Sequence, residues 1–262
     1  MFIKAKKSLG QNFLIDKNII NKIVSLSNIS NKNVLEIGPG TGNLTEYIIK
    51  KKPKKIFLIE KDKVLSEHLS LKFQNNVKVI NEDILKVDEK SISEDKLIVF
   101  GNLPYNISTE IVCKWILKLD KNFWFTELIL MFQKEVADRI ISEINTSNYG
   151  RLSILLNWKM NIKKIFDVSP NCFSPKPKVD SSLLHFTPKN NFFNIQKSKN
   201  LEMITRVFFN QRRKMIKNPL KQLFLNYEEV SKKLKLDLKL RPQNLSLETY
   251  CNIVREYEKL VN

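Results

Sequence analysis

"VLEIGPGTGNLT", residues 34–45, is the stretch from which the architecture can be read. Its first part, Val34–Gly38, is a short apolar run with the character of a buried strand. Three glycines follow at alternate positions, Gly38, Gly40 and Gly42, and Leu44–Lys51 then takes up a helical period. Glycine between a strand and a helix lets the backbone bend tightly and approach a ligand without a Cβ in the way. One such turn is weak evidence, so its neighbours must carry the argument.

Outward from the turn the pattern repeats. Ile56–Glu60, Val77–Asn81, Leu97–Phe100 and Leu128–Phe132 read as strands, with helices expected over Val64–Phe73, Ile107–Leu117 and Glu135–Ile144. Alternation of this kind implies right-handed crossovers and a parallel sheet covered on both faces. Ser153–Met160 and Ser181–Phe186 read as two further strands with no helix between them, a hairpin that would end the sheet antiparallel. From about Phe192 the period is helical. Leu201–Ile216 reads as one helix, Asn218-Pro219 as the start of another, and Glu228–Leu236 and Leu247–Val261 as two more. The pattern breaks near Pro188–Phe192, which divides the chain into residues 1–190 and a helical domain over 191–262.

Composition narrows the class. The chain has 262 residues, 42% hydrophobic and 27% charged, as expected of a globular protein with a sizeable core. It has no apolar run of about 18 residues, so no membrane span is expected. Cys113, Cys172 and Cys251 lie far apart and His68 and His185 stand alone. Neither a disulfide framework nor a metal site is expected, and a reducing, cytoplasmic compartment fits. The net charge is +18, which favours a polyanionic partner. Half of that excess, net +9, lies in residues 189–262, so the C-terminal part is the more basic per residue.

Three strand ends point to the ligand. Glu60 closes the second strand, 22 residues after Gly38, where a carboxylate can accept from two ribose hydroxyls. "NEDIL" (81–85) puts Asp83 at the same edge, within reach of an adenine amino group. Asn43 replaces the third glycine of the pyrophosphate pattern, and Glu36, an acid beside the turn, disfavours phosphate but tolerates an ammonium. Together these indicate S-adenosylmethionine, with NAD(P) the runner-up.

A methyl donor gives meaning to "NLPY", Asn102-Leu103-Pro104-Tyr105, at the tip of the fourth strand. A base amine is a poor nucleophile because its lone pair is delocalised into the ring. The Asn102 side-chain oxygen and a main-chain carbonyl can accept its hydrogens and draw the nitrogen toward tetrahedral geometry, with Pro104 fixing the direction of the backbone. Tyr105 can stack on a base turned out of its helix or loop. Phe173, in a proline-rich loop, is the candidate for the base's other face, with Lys176 and Lys178 nearby to meet phosphates.

With these motifs in view, "KKSLGQNFL" (6–14), "VLEIGPGTGNLT", "NEDIL", "NLPYNIS" (102–108), "FSPKPKVDSS" (173–182) and "FFNQRRKMIKNPL" (208–220) resemble the successive signatures of one family. It is the KsgA-type ribosomal RNA adenine N6,N6-dimethyltransferases. The resemblance implies an α/β, Rossmann-like S-adenosylmethionine-dependent methyltransferase sheet, mostly parallel with an antiparallel hairpin at one edge, and a small C-terminal helical domain that binds RNA. It implies dimethylation of two adjacent adenosines near the 3′ end of small-subunit RNA, on the immature small ribosomal subunit, by a monomer. Cofactor contacts carry over to Asn12, Leu14, Gly38, Glu60, Asp83 and Asn102, alongside Gly40 from the turn. The base pocket falls on Asn102 through Tyr105 and Phe173, and Leu103 replaces a second proline common in amine monomethylases. Arg212, Arg213 and Lys214 match the basic domain, and the spacing of Arg206, Arg213 and Lys217 suggests one helical phosphate stripe. Two alternatives stand beside this reading: a large-subunit dimethyltransferase of the macrolide-resistance type, and a non-catalytic RNA-binding assembly factor.

Overall fold

The structure is a computed structural model and describes residues 5–6, 9–73, 77–119 and 122–261; residues 7 and 8 of the N-terminal motif lie outside the described residues. The elements follow in chain order. They are β1 (Phe13–Leu14), α1 (Lys17–Val24), β2 (Asn33–Ile37), α2 (Asn43–Lys50), β3 (Lys55–Ile59), α3 (Lys63–Lys72), β4 (Val77–Ile80) and β5 (Leu97–Asn102). Next come α4 (Ser108–Lys118), β6 (Phe125–Gln133), α5 (Lys134–Ile140), α6 (Arg151–Lys159), β7 (Met160–Val168), β8 (Phe173–Ser174) and β9 (Ser181–Pro188). The last are α7 (Ser198–Phe209), α8 (Lys217–Leu223), α9 (Tyr227–Lys233) and α10 (Leu247–Val261).

Buried side chains on both faces make β2 a central strand: Val34 and Leu35 are fully enclosed and Ile37 nearly so. The main sheet runs β4-β3-β2-β5-β6-β9-β7. The chain therefore moves outward one way from β2 and then returns to start again at β5, and the reversal lies between β2 and β5. Ligands of open α/β sheets bind outside the carboxyl ends of the strands at such a point. The register fixes which residues meet there. Ile37 is level with Ile59 of β3 and Gly101 of β5, and Ile59 is level with Ile80 of β4, all in parallel pairs. The residues that come next, Gly38, Glu60 and Asn102, therefore emerge side by side.

The expected parallel core and antiparallel closure are both present. β9 pairs antiparallel with β6, from Leu128↔Phe186 to Gln133↔Ser181, and β7 lies on its far side. The edge strand, however, is not Ser153–Met160. That run is helix α6, and the strand begins only at Met160. Ile154, Leu155, Leu156, Trp158 and Lys159 are all buried in α6, so no polar face marks the helical period. A continuous apolar run of this length fits a buried strand and a buried helix equally well.

The chain forms two compact units. The first comprises Met1–Ile111, Asp120–Ala137 and Ile162–Pro188. The second comprises Val112–Leu119, Asp138–Asn161 and Lys189–Asn262, so the division is not a single cut in the sequence. The core of the second unit gathers Ile154 and Trp158 of α6, Leu201, Ile204 and Phe208 of α7, and Tyr250, Ile253 and Val254 of α10. The single helix expected over Leu201–Ile216 is broken: α7 stops at Phe209, the chain turns, and α8 opens at Lys217. Pro219 is the third residue of α8 rather than the first, which costs no hydrogen bond because the first-turn amides have no acceptor within the helix.

Candidate active site

The glycine turn is held by steric necessity. Gly40 has φ +58°, and a Cβ there would lie 2.6 Å from the Phe13 ring. Gly42, the N-cap of α2 at φ +82°, would place one 2.6 Å from the Phe73 ring. Any other residue at either position would be strained in its backbone and in collision with an aromatic ring.

The turn opens onto a cavity within the first unit. Asn12, Leu14, Gly38, Gly40, Glu60, Asp83, Asn102, Leu103, Pro104 and Tyr105 all line it. Glu60 is buried; its Oε2 accepts from Gly40 N at 3.3 Å and its Oε1 from Asp62 N at 2.8 Å. Burial pushes its carboxyl up from the usual range, and those backbone donors pull it back. Asp83 accepts Lys61 Nζ at 2.7 Å and Leu85 N at 3.0 Å, and the lysine holds its carboxyl below the usual range. Glu36 is 2% exposed and accepts Thr45 Oγ1 at 2.6 Å; burial raises its pKa to about 7, and the neighbouring Glu60 adds to the rise. Among the described residues that line it Lys61 alone is basic, and it is paired with Asp83. A cavity with two buried acids suits a ligand bearing a cation and an adenosine, and repels a pyrophosphate. The residues present thus fit S-adenosylmethionine.

A pH dependence follows from Glu36. Its pKa is raised on folding, so the acid costs nothing below pH 4.5 and lowers stability as pH climbs through about 7. Glu36→Gln should flatten that decline and gain up to about 3 kcal/mol above pH 7, read from urea unfolding at pH 5 and pH 8. A parallel pH profile in the variant would show that Glu36 is ionised at no cost.

At the tip of β5 the side-chain amide of Asn102 is half committed. Its Nδ2 donates to Asn12 O at 2.8 Å, while Oδ1 has no protein partner among the described residues. A carbonyl can accept but not donate, so this contact sets the orientation of the amide and leaves its oxygen free to accept. Leu103 is buried, Tyr105 half-buried, and the Tyr105 hydroxyl lies 2.5 Å from Ser181 Oγ.

Three further expectations meet a different geometry. Phe173 does not line the cavity: it is 1% exposed and packs in the core with Leu14, Ile20 and Val168. Pairing of β8 with β1, Leu14↔Phe173, draws it inward. Arg206, Arg213 and Lys217 are exposed but share no helix, because α7 ends between them. Arg212 is not a free cation. Its guanidinium donates to Tyr149 O at 2.9 Å, to Ser147 O, and to Gln243 Oε1 at 3.2 Å. Lys176, Lys178 and Lys214 are exposed. Sequence reading also missed Asn43 and Asp62. The only signal from Asn43 was its place in a position where a glycine was expected.

The fold and this cavity define a Rossmann-like methyltransferase of the S-adenosylmethionine-dependent class. Its architecture is similar to that of a dimethyladenosine transferase from Plasmodium falciparum, with TM-score 0.77 and 26% identity over 94% of this chain and 98% of the other. The 23S rRNA methyltransferase ErmE shares the fold at TM-score 0.68 and 22% identity, over 96% of this chain and 100% of that one. In sequence, the chain is 65% identical to Ribosomal RNA small subunit methyltransferase A of Pelagibacter ubique (strain HTCC1062) over 99% of both chains. The protein of the same name from Ehrlichia chaffeensis (strain ATCC CRL-10679 / Arkansas) is 42% identical over 96% of both. The profile of the family described as Ribosomal RNA adenine dimethylase matches residues 2–259. The chain belongs to that family.

Proposed function

We infer that the protein transfers methyl groups from S-adenosylmethionine to the N6 amines of two adjacent adenosines near the 3′ end of small-subunit ribosomal RNA. The observation that carries this reading is the Asn102 amide, oriented at the carboxyl edge of β5 beside the cavity, its oxygen without a partner among the described residues. When bound, the cofactor supplies an electrophilic methyl group. Asn102 Oδ1 accepts from the amine, and the rigid Leu103-Pro104 backbone supports a second acceptor. The Tyr105 ring holds the base, and the amine's lone pair localises as the nitrogen becomes tetrahedral. Phe173 is buried in the core and is not assigned to the second face of the base.

Glu60 and Asp83 are assigned to the ribose and adenine of the cofactor, and Asn12, Leu14, Gly38 and Gly40 to its enclosure. Glu60→Ala should weaken S-adenosylmethionine binding by roughly 1.5–3 kcal/mol, since a charge-assisted hydrogen bond and the anchor of Gly40 N are both lost. Titration calorimetry checks it; unchanged affinity would remove Glu60 from the site.

The RNA is assigned to the exposed cations Lys176, Lys178, Arg206, Arg213, Lys214 and Lys217. A reducing cytoplasm, a monomeric enzyme and the immature small subunit as substrate complete the proposal. Among the described residues no helix is long and apolar enough to cross a membrane. The 65% identity to a small-subunit enzyme favours that subunit over the large-subunit alternative, and the oriented Asn102 favours an enzyme over a purely binding factor. The deciding experiment incubates unmodified small and large subunits with labelled cofactor and maps the modified nucleosides. N6,N6-dimethyladenosine at two adjacent positions of the small-subunit RNA is expected; label on the large subunit alone would overturn the assignment.

A further inference from the structure

Lys6 and the segment Gly10–Asp16 are fastened along the cavity at several points. Buried Asp62 takes Lys6 Nζ at 2.8 Å and Gln11 Nε2 at 3.3 Å. Ile15 N donates to Cys172 O at 2.8 Å, just beyond the β1–β8 pair. Asn43, the first residue of α2, donates its Nδ2 to Leu14 O at 2.8 Å. Between these anchors Phe13 lies against Gly40, and the Asn12 carbonyl receives the Asn102 amide.

The consequence concerns the reacting edge. Rotated by half a turn, the Asn102 amide would point its oxygen at the Asn12 carbonyl and its donor into the cavity, where it could not accept from an amine. The correctly placed Asn12 carbonyl opposes that, because two acceptors would then face each other. Its position is set by anchors on both sides, the Asn12 Nδ2 bond to Gly10 O at 3.2 Å before it and the β1–β8 pair after it, and the bond from Asn43 to Leu14 O is the anchor supplied by the glycine turn. We propose that Asn43 is a positioning residue for methyl transfer: by holding the Asn12–Leu14 segment it keeps the Asn102 amide in its accepting orientation, so that cofactor enclosure and acceptor orientation are one device. This rests on the reading of Asn102 as the acceptor of the amine. Asn43 acts through Leu14 and Asn12. Its place at the third glycine of the pyrophosphate pattern therefore has a positive purpose in this chain.

Asn43→Asp, made in the full chain, isolates the donated hydrogen bond. The side chain keeps its shape but cannot donate, and a carboxylate in the first turn favours α2 electrostatically. That gain works against the lost bond and the repulsion between the new carboxylate and Leu14 O, so the thermal midpoint should stay close to wild type. The amides of Ile15 and Asp16 in the free enzyme should exchange faster, and the Kd for S-adenosylmethionine should rise about tenfold. The rate of a single turnover at saturating cofactor should fall by about tenfold or more, because misoriented Asn102 cannot be rescued by binding. If Asn43→Asp lowers the midpoint instead, Asn43→Ala removes the donor without adding charge and carries the same measurements. A single-turnover rate equal to wild type at saturating cofactor in both variants would overturn the proposal, while an inactive Asn102→Ala measured alongside would leave the acceptor reading standing. Full activity in Asn102→Ala would instead overturn both.

Discussion

Asn102→Ala should bind S-adenosylmethionine with a modest loss yet transfer methyl groups at least about a hundredfold more slowly, the range found when one preorganised partner of a developing charge is removed. Oδ1 is oriented before the substrate arrives, because Nδ2 is spent on Asn12 O. Its hydrogen bond strengthens as the amine nitrogen becomes tetrahedral, so the loss falls on the rate at saturation more than on binding. Some cofactor affinity should also go, since the bond to Asn12 helps hold the segment that borders the cavity. Tyr105 offers the contrast. Tyr105→Ala removes the ring and should weaken capture of the base by about 1–3 kcal/mol. Tyr105→Phe loses only the bond to Ser181 and should stay close to wild type in turnover. Single-turnover assays with nucleoside mass spectrometry measure all three. An Asn102→Ala enzyme that forms dimethyladenosine at the normal rate would end the acceptor reading.

The second large effect is on stability. Arg212→Ala should cost about 2–4 kcal/mol, because hydrogen bonds to a charged donor are worth about 1.5–3 kcal/mol each and these are partly exposed to water. The guanidinium bridges the carbonyls of the 147–149 loop to Gln243, and its removal leaves those acceptors without their donor. RNA affinity measured across a salt series should keep its slope in this variant. Replacing exposed Arg213, Lys214 or Lys217 by alanine should do the reverse, flattening the slope by about one unit for each phosphate no longer neutralised and leaving the unfolding midpoint in place. A flattened slope with unchanged stability in Arg212→Ala would return that arginine to the RNA.

Much of the site could be read from one dimension because its signals are local. A buried strand announces itself by a run of apolar residues, and its end by the glycine, acid or amide that follows. Once the strands are parallel and in register, those ends must share an edge. Gly38, Glu60 and Asn102 met there for that reason, and Asp83 follows β4 at the same side. Charge also survives in composition: the basic excess of residues 189–262 needs no coordinates.

What only the tertiary structure decided are the choices that depend on a partner far along the chain. Residues 153–159 are helical and Met160 opens a strand; the second unit's core surrounds that helix and removes the polar face that would have shown its period. Phe173 turned inward because residues 13–14 pair with it across more than half the sequence. Arg212 and Arg213 are adjacent and identical in type. One is spent on the carbonyls of the folded 147–149 loop and on Gln243, and the other is exposed to water. Asn43 follows the same rule, for its donor is given meaning by a carbonyl 29 residues away. Apolar pattern and strand ends are properties of a segment, and the sequence by itself determined them. Hydrogen-bond partners and burial belong to pairs of segments, and for this protein they came into being only when the chain closed on itself.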